Sequence, residues 1–227
     1  MGLIELRGPI WFYKLDTLIQ FFGAIVALLI SYYTYKAYKL SSKKSHLYFS
    51  IAFALLGLNL LIYSIVLPAW MVVYAGSGFI VDIFSLPVLL LASKILNILY
   101  VFSYLFAYSL LIFVYSKIER KSMMAIVAFL TLVVSVYSSI IYSSYSTQIF
   151  MAFNIISLVL LSLIVFFTYD NYTLKKNKSS LLVLSAFILI AASHLLMVFE
   201  SLSNAFFLSA HIAQLLGYIS LLIVTRA

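Results

Sequence analysis

The chain has no cysteine, and only 9% of its 227 residues are charged. Without cysteine there are no disulfides, no thiolate metal ligands and no cysteine nucleophile. The scarcity of charge decides the class. A soluble domain carries about 25% charged residues, whereas this chain is 66% hydrophobic with a mean hydropathy of +1.18. So few charges cannot cover a water-facing surface. Catalytic signatures are missing too. There is no His-Glu-x-x-His, no Gly-x-Ser and no pair of aspartates within one apolar segment, so no intrinsic enzyme activity is expected.

What the chain does have is apolar segments of bilayer-spanning length, about 20 residues each. They read as 15–35, 46–67, 93–116, 122–144, 148–169, 180–201 and 205–225. Backbone groups cannot go unpaired in lipid, so each is expected to be helical. The fold class is therefore all-α integral membrane, with seven transmembrane helices in one domain. The N-terminal MGLIELRGPIWFYK lacks the features of a signal peptide, and Leu6 breaks the myristoylation pattern.

The basic residues alternate between connections. Lys36, Lys39, Lys43 and Lys44 follow the first span, Lys117, Arg120 and Lys121 the third, Lys175, Lys176 and Lys178 the fifth, and Arg226 the last. The positive-inside rule then predicts an outer N-terminus and an inner C-terminus. It also accounts for the net charge of +8 without a nucleic-acid partner. Residues 68–92 lie between Pro68 and the region of Pro87 and contain Gly76-Ser77-Gly78. They are expected to form an outer interfacial or re-entrant segment rather than an eighth span.

An internal repeat organises the chain. Residues 32–66 and 166–200 align without a gap at an offset of 134, with 11 of 35 positions identical, among them Thr34/Thr168, Tyr38/Tyr172 and Phe53/Phe187. Chance gives roughly three at this composition. Ser109-Leu110-Leu111-Ile112 and Ser220-Leu221-Leu222-Ile223 extend the match at an offset of 111. The expected plan is a three-helix repeat over 15–116 with an insertion at 68–92, a linker helix at 122–144, and a second repeat over 148–225. Both repeats would enter from the outside, as parallel units about an axis along the membrane normal. In topology this plan is similar to the sugar-transporting SWEET proteins and the microbial rhodopsins. The SWEET proline motif is missing, since the only prolines are Pro9, Pro68 and Pro87, and the last span has no lysine for a retinal Schiff base. The likeness therefore implies no function.

Polar residues inside a membrane are costly and mark functional sites. Here they cluster in the outer halves of the spans: Asp16 and Gln20, Asn59, Asn97, Asn154, His194, Glu200, Asn204, His211 and Gln214. This asymmetry predicts an outward-facing polar cavity that binds a small molecule or ion, in a transporter or sensor. Asn204, His211 and Tyr218 recur every seven residues on one helix face. His194 and His211 are expected at similar depth, where two imidazoles could share a metal, a haem iron or a proton, with Glu200 at the same end. Two other expectations are a receptor or assembly subunit that acts through a protein partner, and a single-haem or metal-binding redox protein.

Overall fold

The computed structural model describes residues 10–76, 86–116, 131, 133, 134, 136 and 146–226. Among these the chain is all-helical. Six long helices occur: α1 (Ile10–Ser41), α2 (Lys44–Gly76), α3 (Leu86–Ser116), α4 (Ser146–Lys175), α5 (Lys178–Val198) and α6 (Asn204–Arg226), with a 3₁₀ turn at Glu200–Leu202 between the last two. Each contains a stretch long and apolar enough to cross a membrane, as expected of a multi-pass membrane protein. The expected span at 122–144 lies almost wholly outside the described residues.

The helices overrun the expected spans. At 32 residues, α1 is about 48 Å long at 1.5 Å per residue, against a hydrocarbon core of about 30 Å. Its C-terminal turns carry the lysines and exposed Tyr32 and Tyr35, with Lys39 Nζ 5.2 Å from the Tyr35 ring centre. Of the expected outer segment 68–92, residues 77–85 lie outside the described residues. Residues 68–76 continue α2 straight through Pro68, and 86–92 are the start of α3, so the helical parts of this stretch extend their neighbours and form no separate element. Pro87 falls in the first turn of α3, where a missing N–H leaves no helical bond unmade.

The helices close a ring. Each packs on its neighbour in sequence, and α6 returns to pack on α1. The interior is formed by side chains such as Ile30, Phe53, Leu105, Leu161, Phe187 and Tyr218, each at most 1% exposed. The outer surface is apolar as well, with Phe22 55% and Val159 58% exposed. In lipid such residues gain nothing from burial, so helix association rests on close packing and interhelical hydrogen bonds. Both occur. A Cβ on Gly57 would lie 2.8 Å from Leu28 Cγ, and one on Gly217 would lie 2.7 Å from Ile190 Cγ1 and 2.9 Å from the Ala186 carbonyl oxygen. Ser31 and Ser50 each donate a hydroxyl to the other's carbonyl at 2.9 Å, pinning α1 to α2.

Two tight turns join α1 to α2 and α4 to α5. Ser42 (φ 54°) and Lys176 (φ 47°) stand in the left-handed region. Each ends its helix by donating its N–H to the carbonyl four residues back, Ser42 to Tyr38 at 2.7 Å and Lys176 to Tyr172 at 2.8 Å. Asn177 then caps α5, its side chain accepting from the Ser180 N–H at 2.8 Å. The two turns are 134 residues apart and lie at the same end of the bundle. Arg226, at the end of α6, also belongs to this basic end.

Candidate functional site

A polar layer crosses the bundle toward the end opposite the lysine-rich turns. It comes from the N-terminal parts of α1, α4 and α6, the middle of α2 and α3 and the C-terminal part of α5. All six helices contribute to a cavity of about 30 Å³ within it, whose walls include Gln20, Tyr63, Tyr100, Tyr104, Asn154, Ser193, His194, His211 and Gln214. That is room for about two water molecules. A neighbouring cavity of about 10 Å³ shares Gln20, His211 and Gln214 with the first and reaches Gly23 and Tyr218.

Three hydrogen-bonded groups make up the layer. In the first, Asp16 on α1 is wholly buried. Its Oδ2 accepts from Gln20 Nε2 at 2.9 Å, one helical turn on. Its Oδ1 lies 3.3 Å from His211 Nε2 on α6, and Gln20 Nε2 is also 3.3 Å from that nitrogen. Asp16 Oδ1 and His211 Nδ1 have no hydrogen-bond partner among the described residues.

In the second, His194 on α5 is held at both ring nitrogens. Nδ1 lies 2.9 Å from Asn154 Oδ1 on α4, and Nε2 lies 2.7 Å from the Tyr108 hydroxyl on α3. An amide oxygen can only accept, so Nδ1 carries the hydrogen and Nε2 accepts from Tyr108. The imidazole is thereby a neutral, fully used bridge between three helices. The rings of Tyr108, Phe153 and Tyr104 meet it nearly edge-on, with centroids at 5.5, 6.1 and 6.3 Å.

In the third, Gln214 Nε2 donates to the Tyr218 hydroxyl at 3.1 Å, one turn along α6, and to the Tyr104 hydroxyl of α3 at 3.4 Å.

The chain matches no family model, no curated protein and no solved structure. The site therefore has to be judged on its own chemistry.

Of the residues expected at a site, six come together in this layer: Asp16, Gln20, Asn154, His194, His211 and Gln214. Asn59 is buried but serves packing, donating to the Tyr100 carbonyl at 2.9 Å and tying α2 to α3. Glu200 sits on the 3₁₀ turn, partly exposed, and lines neither cavity. The side chains of Asn97 and Asn204, and of Lys94, lie outside the described residues. His194 and His211 do share the larger cavity, as their expected depth implied. A joint metal or haem ligation is nonetheless disfavoured by His194, whose only lone pair is taken by Tyr108. No group of three His, Cys, Asp or Glu side chains suited to a metal ion occurs among the described residues.

The tyrosines were the missed component. Tyr100, Tyr104 and Tyr108 stand four residues apart on α3 and so share one face. Two of them, Tyr104 and Tyr108, are at most 2% exposed. Tyrosine at i, i+4 and i+8 in the middle of a span is the signal that marks them, as distinct from the tyrosines of 31–39 near the basic end.

Proposed function

We propose that the protein binds a small polar solute or ion in this layer and acts as a transporter or sensor without intrinsic catalysis. The observation that carries the reading is that all six described helices meet at one cavity lined largely by polar and aromatic side chains, with room for about two waters. Small-molecule sites in helix bundles are built this way, from facing side chains on several helices. A merely structural set of hydrogen bonds would be scattered in pairs along the helix interfaces. At about 30 Å³ the cavity is nearly closed. Occupation by anything larger than water requires the helices to part.

Several observations support the finer architecture. α3 reaches the basic end with Tyr115, which packs on Phe49 and Phe187, whereas α4 starts at the opposite end. These opposite ends support the expected seventh span, and seven spans agree with the charge alternation. On that topology the lysine turns are inside and the cavity opens outside.

A duplicated three-helix unit is favoured by the site itself. Gln20 and Asn154, Leu60 and His194, and Tyr63 and Met197 stand 134 residues apart, and all line the cavity. In the third helix of each unit the equivalence is 110 rather than 111. Tyr104 and Gln214 both line the cavity, and Tyr108 and Tyr218 are both buried. The units would rock about a pseudo-two-fold axis through the cavity.

The test is a thermal-shift screen of the detergent-solubilised chain against alkali and halide salts, amino acids and simple sugars. A ligand selective for the folded state raises the melting temperature in proportion to the logarithm of its concentration. The reading predicts such a rise with at least one probe, lost in both Gln214→Ala and Asn154→Ala. A flat response across the panel contradicts it.

A further inference from the structure

The polar layer is only partly symmetric: Gln20 pairs with Asn154, whereas His194 stands opposite Leu60 and Tyr63 opposite Met197. Under the equivalences of 134 and 110, Asp16 corresponds to Phe150 and His211 to Val101. The Asp16–His211 pair thus exists once among the described residues. Asp16 is also the one wholly buried carboxylate among the described residues.

We propose that Asp16 and His211 together hold a single exchangeable proton, and that this proton is the ion the cavity handles. The inference rests on the functional reading above and names its substrate. Three features of the geometry lead to it. First, Oδ1 and Nε2 face each other at 3.3 Å and Oδ1 has no hydrogen-bond partner among the described residues, so a proton leaving one atom has the other within reach. Second, charge fixes the count at one. A carboxylate beside a neutral imidazole leaves the bundle with an uncompensated negative charge, whereas one added proton makes the pair neutral, as carboxylate–imidazolium or as acid–imidazole. A buried unpaired charge is heavily disfavoured, so the pair keeps its proton until the cavity opens or another cation replaces it. Third, there is a route. His211 lines both cavities, its Nδ1 lacks a partner, and the space holds about two waters. That suffices to relay a proton and is too little to admit an organic solute.

The groups surrounding the pair do not supply a competing charge. Gln20 on α1 is neutral and orients Oδ2. Across the cavity stand Tyr63 on α2, Tyr100 and Tyr104 on α3, and His194 on α5, whose lone pair is used by Tyr108. α4 contributes the amide Asn154. Lys14 lies two residues before Asp16 and is exposed.

The experiment is pH-difference infrared spectroscopy of the full chain in lipid nanodiscs, between about pH 5 and pH 8, where an imidazole-linked proton exchanges. The expected result is a protonated-carboxyl band that changes with pH. It should be lost in Asp16→Asn, shifted by ¹³C-aspartate labelling, and displaced in midpoint by at least about one pH unit in His211→Gln, a tenfold change in proton affinity. Glu200→Gln should leave it unchanged. A band that persists in Asp16→Asn, does not respond to aspartate labelling, or titrates identically in His211→Gln overturns the proposal. The labelling arm uses unaltered protein, so it stands even where a variant misfolds. No solute is present in this experiment. A titrating Asp16 with a flat thermal-shift panel keeps the proton site and removes the solute reading. A solute response with a silent Asp16 does the reverse.

Discussion

The Tyr108 hydroxyl lies 2.7 Å from His194 Nε2, and this contact, with Asn154 on the opposite nitrogen, ties α3, α4 and α5 together through one neutral imidazole. Removing the hydroxyl alone strands a buried acceptor, which costs about 1–3 kcal/mol. Tyr108→Phe should therefore lower the melting temperature measurably. Because the loss is already counted once His194 is gone, Tyr108→Phe in a His194→Leu background should cost much less. Additive effects in the double-mutant cycle would show that the contact contributes nothing to the fold.

Gly217 and Gly57 permit close approach of neighbouring helices, and the two sites should respond differently. Overpacking costs about 1–3 kcal/mol. At Gly57 the nearest atoms are Leu28 Cγ at 2.8 Å and Cδ2 at 3.0 Å, with the Leu28 backbone nitrogen at 3.1 Å; at Gly217 Ile190 Cγ1 stands at 2.7 Å and the Ala186 carbonyl oxygen closer than any backbone atom at Gly57, at 2.9 Å. Leu28→Ala should partly rescue Gly57→Ala, whereas Ile190→Ala should fail to rescue Gly217→Ala, since the carbonyl of Ala186 remains. Equal rescue at both sites, read by thermal unfolding, would contradict this packing.

The left-handed residues of the two turns give a prediction that is independent of the site. Ser42 and Lys176 carry a Cβ at φ 54° and 47°, a conformation costing about 1–2 kcal/mol outside glycine. Ser42→Gly and Lys176→Gly should each stabilise the chain, by up to about 1 kcal/mol once glycine's own entropy cost is subtracted. Ser42→Val should destabilise it. A melting temperature that falls in both glycine variants would be inconsistent with the turn geometry.

The membrane class, the approximate position of six helices and the seven-residue stripe of α6 were legible because they depend on composition and period alone. His211, Gln214 and Tyr218 share a buried face as that stripe implied. Three things were not legible. Pro68 reads as a boundary, yet α2 continues past it to Gly76. The tyrosines of α3 are ambiguous in isolation, since the same residue type anchors the bilayer interface near Lys39 and forms hydrogen bonds at the centre beside His194. Pairing was the third. Sequence places Asp16 and His211 in the outer halves of their spans but cannot tell that α6 closes the ring onto α1, and only that closure brings them to 3.3 Å.

The central claim is a polar cavity that opens, when the helices part, to the side away from the lysine turns. The chain has no native cysteine, so single-cysteine variants report cleanly. Ser193 lines the cavity, while Ser109 is buried on α3 away from it and donates to the Leu105 carbonyl. The most direct measurement is the labelling of Ser193→Cys and Ser109→Cys in sealed, sided membranes by a small membrane-impermeant thiol reagent. The reagent enters only when the helices part, and the account predicts that Ser193→Cys then reacts from the outside and not from the inside, and that Ser109→Cys reacts from neither. Labelling of Ser193→Cys only from the lysine-rich side, or from neither side, would contradict it.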